Sequence, residues 1–422
     1  MYLTEDKMRK YFRKALCLTL SLIMLCGALA PAVFAAVDDP LDGRIEKDAV
    51  RSANSVQEDT EYHHADKFLA GGYTIADVID VSSHNGTINW SAVAASGIKY
   101  AIIRAGWRGY GDEGTLNTDT KFAENVRGAI AAGINVGVYF YTQATNNNEA
   151  IAEAEYTLGI ISGYDLKLPV AYDCEFASSG SSYTGRFFKA NLTPYQIASM
   201  CNAFCDTIKA AGYDAMVYAN PFMLTSKINV SSLGSTPIWL ASYSDSAKWD
   251  GDYVMWQYTG KGTCDGISGN VDRSFYYIKD GTKIDDFRIH SSATTVYLGE
   301  TGKVSAFIDR DYYTSLGCKV SEVTWTTSDE AVMTVAADGT LTAVATGSAT
   351  ITGTVTVSVP NPDAPGTFAD MVLTKYLNLS VTEKPPEPQS DDAGSFIEMV
   401  LNLFMMLARF FVNLFSSIAG RT

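Results

Sequence analysis

The chain has 422 residues, of which 47% are hydrophobic and 12% aromatic, and it carries a formal net charge of −15 at pH 7. This length allows two or three domains with substantial cores, and the composition excludes a chain that is disordered throughout. The negative charge excludes nucleic acid as an expected partner, because it would repel a phosphate backbone. We therefore expect any polymer ligand to be held by specific contacts.

The first 35 residues have the pattern of a secretory signal peptide. A basic stretch over 8–14 precedes an apolar run over 15–29, and small residues at 33–35 form a cleavage site. The following segment, 36–72, is acidic, polar and irregular, which predicts a disordered leader. The cysteines beyond residue 35 lack the spacing of a metal site, so we expect no metal and no cofactor.

Between residues 73 and 280, apolar strand-like runs alternate with amphipathic helical stretches. This alternation predicts a parallel sheet covered by helices, most simply a β/α barrel. The predicted strands are 76–81, 100–105, 136–141, 168–176, 215–219, 238–241 and 254–258. The predicted helices include 119–132, 148–161 and 193–211.

The carboxyl ends of barrel strands converge on one mouth, where the chemistry of such folds collects. Acids and aromatic residues dominate the predicted strand ends. The catalytic candidates are Asp80, Asp173, Glu175 and Asp272. The candidate substrate-binding residues are His84, Asn85, Arg104, Tyr139, Tyr141, Tyr218, Trp239, Tyr243, Trp256 and Gln257.

The strand at 168–176 contains two carboxylates, Asp173 and Glu175, on either side of Cys174. Strand alternation places both carboxylates on one face, with Cα atoms about 6.6 Å apart, and Cys174 on the other. Two close carboxylates resist ionising together, so we expect one to hold a proton near neutral pH. Cleavage of a glycosidic bond requires such a proton donor and a second carboxylate. The tripeptide alone also fits a strand end capped by two solvated acids.

Seven motifs follow one another in this segment: DVIDVSSHNG (77–86), INW (88–90), IIRAG (102–106), VGVYFY (136–141), LPVAYDCE (168–175), WQYT (256–259) and GISGNVD (266–272). In content and order they resemble the motifs of the glycoside hydrolase family 25 lysozymes. The resemblance implies a distorted β/α barrel with muramidase activity. Such an enzyme cleaves the β-1,4 bond between N-acetylmuramic acid and N-acetylglucosamine in the glycan strands of peptidoglycan.

The resemblance also implies roles for the four acids. Glu175 matches the proton donor, and Asp80, Asp173 and Asp272 match the family's other acidic positions. We expect retention of configuration, with Asp173 or the substrate's own N-acetyl oxygen meeting the positive charge on the sugar.

Two positions depart from the family pattern. Phe140 stands where the family often carries histidine, and Cys174 where a small apolar residue is usual. Since neither departure removes an acid, we expect them to affect substrate fit more than catalysis.

The C-terminal third predicts an all-β immunoglobulin-like sandwich over 286–382, without a helical stretch. Its motifs resemble bacterial immunoglobulin-like group 2 domains, which implies a spacer or wall-contact role. They are VTWTTSD (323–329), DGTLTA (338–343) and GSATI (347–351). A proline-rich linker over 383–394 then leads to a hydrophobic, amphipathic helix over 395–419. For this helix we favour membrane association over docking on another domain of the protein.

Two other functions remain open from the sequence. A non-catalytic wall-binding or adhesion protein could use the same barrel to grip glycan, although four acids favour an enzyme. An amidase or peptidase acting on the stem peptides would need zinc ligands or a Cys/His nucleophile, and the sequence lacks that pattern.

Overall fold

The computed structural model describes residues 61–281, 287–361 and 366–385. They form a barrel domain (61–281) and a sandwich domain (287–382). Within these ranges, no helix is long and apolar enough to cross a bilayer. The signal peptide, the leader up to residue 60 and the helix over 395–419 lie outside the described residues and stay predictions.

The barrel domain alternates strands and helices along most of its length. Its strands are β1 (Tyr73–Val81), β2 (Tyr100–Arg108), β3 (Leu116–Thr118), β4 (Asn135–Tyr141), β5 (Val170–Asp173), β6 (Ser178–Ser179), β7 (Ser182–Tyr183), β8 (Ala215–Ala219), β9 (Ile238–Ala241), β10 (Met255–Gly262) and β11 (Val271–Lys279). Its α-helices are α1 (Asp66–Leu69), α2 (Trp90–Ala95), α3 (Phe122–Ala131), α4 (Asn147–Ile161), α5 (Gly185–Lys189) and α6 (Pro194–Ala210). Helix α6 begins with a capping box in which Thr193 and Gln196 satisfy each other's backbone N–H groups.

Eight strands close into a barrel in the order β1, β2, β4, β5, β8, β9, β10, β11. The first seven run parallel, whereas β11 is antiparallel to both β10 and β1. The expected distorted β/α barrel is therefore confirmed. The seven predicted strands correspond to the parallel ones, and β11 was missed because its half-buried pattern lacks a continuous apolar run.

Side chains along the barrel strands point alternately into the lumen and outward to the helices. A small cluster fills the lumen and includes Val78, Ile102, Tyr139, Tyr141, Met216, Tyr218, Trp239 and Met255. A larger cluster lies between sheet and helices and includes Ile79, Ile103, Val138, Phe140, Tyr172, Val217 and Trp256. Alternate residues of each strand therefore face the lumen, and only those side chains can reach the mouth.

The segment 61–72 packs against the outer face of β10 and β11. In the described chain, the connections on either side of β10 contain no α-helix that could cover this face. Aromatic side chains of the segment cover it instead: the ring centroids of Tyr62 and Tyr258 lie 4.4 Å apart, and Phe68 stacks on Tyr277 at 3.6 Å. The leader predicted over 36–72 is thus corrected at its end, because residues 61–72 belong to the barrel domain.

The sandwich domain consists of two facing sheets. Its strands are β12 (Phe287–Ser291), β13 (Thr295–Tyr297), β14 (Thr301–Ile308), β15 (Lys319–Val320), β16 (Thr324–Thr327), β17 (Met333–Val335), β18 (Thr340–Ala343), β19 (Gly347–Pro360) and β20 (Phe368–Thr382). One sheet has the order β12-β14-β18-β17; the other has β13-β20-β19-β15, with β16 also paired to β19. The expectation of no helix is corrected by α7 (Arg310–Ser315), which begins where Asp309 Oδ1 accepts the Tyr312 N–H at 2.9 Å.

The two domains are in direct contact through the turn between α6 and β8. The Ser291 N–H donates to the Ala211 carbonyl at 2.9 Å, and the rings of His290 and Tyr213 stack with centroids 3.9 Å apart. Gly212 has φ +92, and any side chain there would clash with the Ile289 carbonyl oxygen. Glycine therefore permits this close approach of the two backbones.

The buried His290 makes the stability of this contact depend on pH. Its side chain is 3% exposed, and burial, followed by the charge of Arg288, lowers its pKa from 6.5 to about 3. Between these pH values the unfolded chain binds a proton that the folded chain does not. We expect the free energy of unfolding to fall as pH drops below 6.5, by up to about 1.4 kcal/mol per pH unit from this group.

Urea unfolding at several pH values between 4 and 8 measures this effect. His290→Phe keeps a ring against Tyr213 but cannot titrate, so its stability should decline less steeply below pH 6.5. His63→Gln, at an exposed position, is the matched control and should follow the parent protein. An identical pH slope for His290→Phe and the parent would contradict the assignment.

Candidate active site

Gln257 lies at the centre of the barrel mouth and uses all four hydrogen-bonding positions of its amide. Its Nε2 donates to Asp80 Oδ2 at 2.9 Å and to Asp272 Oδ2 at 3.2 Å. Its Oε1 accepts the hydroxyls of Tyr218 at 2.8 Å and Tyr243 at 2.9 Å. Since the side chain is 1% exposed, these bonds form in a site largely shielded from water. One amide therefore joins two candidate acids and two candidate substrate-binding tyrosines.

The backbone pairing of two strands is enough to make Asp80 and Asp272 neighbours. Asp80 and Asp272 are direct partners in the antiparallel pair of β1 and β11. Gly260, on the neighbouring β10, lies beside Asp272, since a Cβ there would be in ordinary van der Waals contact with Asp272 Oδ1 at 3.4 Å. The strand that sequence periodicity did not predict thus carries one of the four acids into the mouth.

The other two acids lie at the end of β5. The Asp173 carbonyl accepts the Thr142 N–H at 3.2 Å, and the Cys174 N–H donates to the Tyr218 carbonyl at 2.9 Å. These bonds to both neighbouring strands hold the backbone extended beyond the last strand residue. Cys174 packs in the outer cluster and Ala177 in the lumen cluster, so the alternation places Asp173 and Glu175 on the lumen side. Asp173 is 4% exposed and Glu175 is 6% exposed.

Tyr139 lies among these charged groups inside the barrel. Burial raises the pKa of its hydroxyl well above 10, the nearby Arg104 opposes this, and the carboxylates of Asp80, Asp173 and Asp119 add to it. The phenol therefore stays protonated and is available as a hydrogen-bond donor over the physiological pH range. Tyr141, two residues on, is fully buried in the same cluster and accepts a hydrogen bond from Gln143 Nε2 at 3.4 Å.

Arg104 forms a buried ion pair at the edge of the mouth. Its Nε and Nη2 each lie 2.7 Å from Asp119 Oδ2, and Nη2 also donates to Ser83 Oγ at 3.0 Å. The guanidinium lies over the ring of Trp107, 4.8 Å from its centroid. Arg104 thus anchors the turn after β1 and lies beside Tyr139. Asp119 was missed by sequence reasoning because no local pattern pairs it with Arg104.

The turn that contains His84 and Asn85 is held by its own hydrogen bonds. Asn85 Oδ1 accepts the Ser82 N–H at 2.9 Å, and its Nδ2 donates to the Asn270 carbonyl at 3.2 Å. The second bond ties this turn to the loop that leads into β11. Asn85 therefore has a structural role in this turn, and a contact of His84 or Asn85 with substrate stays a prediction.

The two candidate tryptophans lie on opposite sides of the sheet. Trp239 belongs to the lumen cluster, where its Nε1 donates to Ser274 Oγ at 3.0 Å and its ring packs edge-on against Tyr218. Trp256 is fully buried in the outer cluster, and its Nε1 donates to the Ser242 carbonyl at 2.8 Å. We therefore correct the expectation that Trp256 contacts substrate: because Gln257 points inward, its neighbour on the strand points outward.

The two departures from the family pattern also lie on the outer side. Phe140 and Cys174 are fully buried and pack in the cluster between sheet and helices. The expectation that they alter substrate fit is corrected, since neither side chain lines the lumen. The five cysteines of the described chain are all free thiols. The described residues contain no group of three or more metal-ligating side chains.

The comparisons with known proteins identify the families of the two domains. Residues 79–267 match the family described as glycosyl hydrolases family 25, and residues 284–365 match the bacterial Ig-like domain (group 2). The barrel is a glycosyl hydrolases family 25 domain. The resemblance drawn from the sequence motifs is thereby confirmed for both domains.

Individual relatives match the family 25 domain rather than the whole chain. The autolytic lysozyme of Clostridium acetobutylicum is 32% identical over 195 residues, which cover 46% of this chain and 53% of that protein. Lysozyme M1 of Streptomyces globisporus is 30% identical over 207 residues, which cover 46% of this chain and 66% of that protein. The chain thus spans between half and two thirds of the length of these relatives.

One solved structure also matches part of the chain. The modular autolysin LytC from Streptococcus pneumoniae is 29% identical, with a TM-score of 0.42, over 48% of this chain and 47% of that chain.

The Gln257 amide can be tested by the isosteric change Gln257→Glu. The new carboxylate would replace the N–H groups that face Asp80 and Asp272, so three acids, of which Asp272 is half-buried, would repel one another. We expect the free energy of unfolding at pH 7 to fall by about 2–4 kcal/mol. The loss should shrink at pH 5, where the clustered carboxyl groups take up protons more readily than in the unfolded chain.

Urea unfolding at the two pH values provides the measurement. Gln196→Glu is the matched control, because that exposed side chain acts as an acceptor for the Thr193 N–H and a carboxylate keeps this bond. A Gln257→Glu protein as stable as the parent at pH 7 would show that the amide does not hold the two acids.

Proposed function

We propose that this protein is a secreted peptidoglycan hydrolase, an N-acetylmuramidase that cleaves the β-1,4 bond between N-acetylmuramic acid and N-acetylglucosamine. The observations that carry the proposal are the bridging of Asp80 and Asp272 by Gln257 and the lumen-side position of Asp173 and Glu175 at the carboxyl end of β5. Two tyrosine hydroxyls, those of Tyr218 and Tyr243, hold the Gln257 amide between the first two of these acids. The family 25 match and the lysozymes among its relatives add support.

In the proposed mechanism, Glu175 donates a proton to the glycosidic oxygen. Its side chain is 6% exposed and follows Asp173 on the same side of the chain, and both conditions favour the protonated form of one carboxyl. Protonation turns the departing sugar into a neutral alcohol, so the bond to the anomeric carbon breaks more easily.

Asp173 then meets the positive charge that develops on the remaining sugar. It does so as a nucleophile, or by orienting the N-acetyl oxygen of the substrate, and a second inversion by water gives net retention. Asp80 and Asp272 hold the sugar through the network that Gln257 organises. Tyr139, kept protonated by burial, donates a hydrogen bond into the same space.

The remaining parts of the chain support an extracellular role. The basic and apolar pattern of residues 8–35 is that of a signal peptide, and export would bring the enzyme to the cell wall. We propose that the sandwich domain acts as a spacer or wall contact. Its fixed contact with the turn before β8 would give the barrel a defined orientation on that spacer.

The change Glu175→Gln tests the assignment of the acid. The amide keeps the size of the side chain but cannot donate a proton to the leaving oxygen, so turnover should fall by at least about a thousandfold. The measurement is the appearance of new reducing ends from purified sacculi, with mass spectrometry of the released muropeptides. Glu113→Gln, at an exposed position, is the matched control and should retain parental activity.

The outcomes separate the candidate functions. Reducing-end release by Glu175→Gln at the parental rate would refute the assigned acid. A parent protein that binds sacculi without releasing new ends would favour a wall-binding protein, and release of free amino groups would favour an amidase. The anomeric configuration of the first product, read by NMR, tests retention.

A further inference from the structure

A group of aromatic side chains, two of them exposed and two half-buried, begins one residue after Glu175 in the chain. We call Phe176, Tyr183, Phe188 and Phe222 the aromatic shelf. Phe176 follows Glu175 in the chain, and its ring centroid lies 5.6 Å from Tyr183, 5.3 Å from Phe188 and 6.4 Å from Phe222. The shelf is therefore one connected cluster.

The shelf belongs to the same rim as the acids. Phe176 follows β5 and Phe222 follows β8, and these two strands are neighbours in which Asp173 pairs with Tyr218. Both connections leave the carboxyl ends of their strands, so they border the mouth from one side. Phe176 itself packs against the outer cluster, so its ring lies on the outer side of this rim rather than in the lumen.

Packing alone does not account for the exposure of these rings. Phe188 is 39% exposed and Phe222 is 40% exposed, whereas Phe187 beneath them is 1% exposed. The rings of Tyr183 and Phe222 are parallel to within 11°, with centroids 5.6 Å apart. The rings of Phe188 and Phe222 thus remain in contact with water, although the neighbouring Phe187 is buried in the core.

The segment that carries the shelf is held firmly. The hairpin of β6 and β7 turns at Gly180, which has φ +63, a conformation that favours glycine. Arg186 then forms a bidentate ion pair with Glu149, with Nη–Oε distances of 2.7 and 2.8 Å. Gly185 allows close packing, since a Cβ there would clash with the side-chain oxygen of Gln143. The shelf is thus presented in a fixed position, which lowers the entropic cost of binding.

A cation adjoins the shelf. Lys227 Nζ lies 5.9 Å from the Phe176 ring centroid and 5.7 Å from that of Phe222. The combination of apolar ring faces with a nearby N–H donor suits a ligand that has apolar C–H faces and polar rims. A pyranose ring has this character.

On the basis of the proposed function, we propose that the aromatic shelf is a glycan subsite outside the two sugars that flank the cleaved bond. It holds a further saccharide unit of the same strand against Phe222 and Tyr183, while Lys227 contacts the polar rim of that unit. The shelf would therefore make the enzyme favour long glycan strands over short ones.

The experiment compares a long glycan strand with a tetrasaccharide as substrates. In Phe222→Leu the apolar volume is largely kept but the ring face is lost, and Phe222→Ala removes both. For each variant we expect the ratio of KM for the long strand to KM for the tetrasaccharide to rise roughly three- to tenfold, the range of one aromatic contact. Tyr376→Ala, 65% exposed on the sandwich domain, is the matched aromatic control and should leave the ratio unchanged.

A binding measurement keeps the test independent of turnover. In the Glu175→Gln background, calorimetric titration with long strands should show a similar loss of affinity on Phe222→Leu. An unchanged KM ratio together with unchanged affinity would overturn the subsite. Absence of cleavage of every strand by the parent protein would instead overturn the muramidase proposal, and the affinity data would still test the shelf.

Discussion

The closure of the barrel by an antiparallel strand is the constraint on which the site depends. In a barrel of eight parallel strands, β11 would run the other way and its carboxyl end, rather than its start, would lie at the mouth. Here the reversal places Asp272 opposite Asp80. Two carboxylates on directly paired residues repel each other. The Gln257 amide offsets this repulsion by donating one N–H to each carboxylate. The two tyrosine hydroxyls on its oxygen fix which way the amide faces.

Buried charges on the two sides of the sheet have different surroundings. Outside the barrel, Glu153 lies 2.7 Å from Arg108 and accepts the hydroxyls of Thr142 and Tyr172. Burial raises the pKa of Glu153, while Arg108 opposes that shift. This network braces the two strands that carry Tyr141 and Asp173, since Thr142 and Tyr172 are their chain neighbours. Charge inside the mouth is predominantly acidic, as general acid chemistry on a sugar requires.

Aromatic residues have three different locations and roles in this chain. Those of segment 61–72 cover the strands that lack helices, those in the lumen fill the barrel, and those of the aromatic shelf stay partly exposed in the connections after β5 and β8. Composition alone gives only their number. Their division among these tasks depends on strand parity and on which connections lack a helix.

The sequence by itself determined the seven parallel strands and the main helices, because apolar runs and helix caps are local properties. The order of its motifs also led, through the family resemblance, to the four proposed acids. The sequence also placed Asp173 and Glu175 on one face, since alternation along a strand needs no partner. Only the tertiary structure decided that β11 reverses and that Trp256 points outward. The pairing of Arg104 with Asp119 was likewise settled by packing. These features join residues far apart in the chain, and their energies arise from strand register and burial, which no local pattern contains.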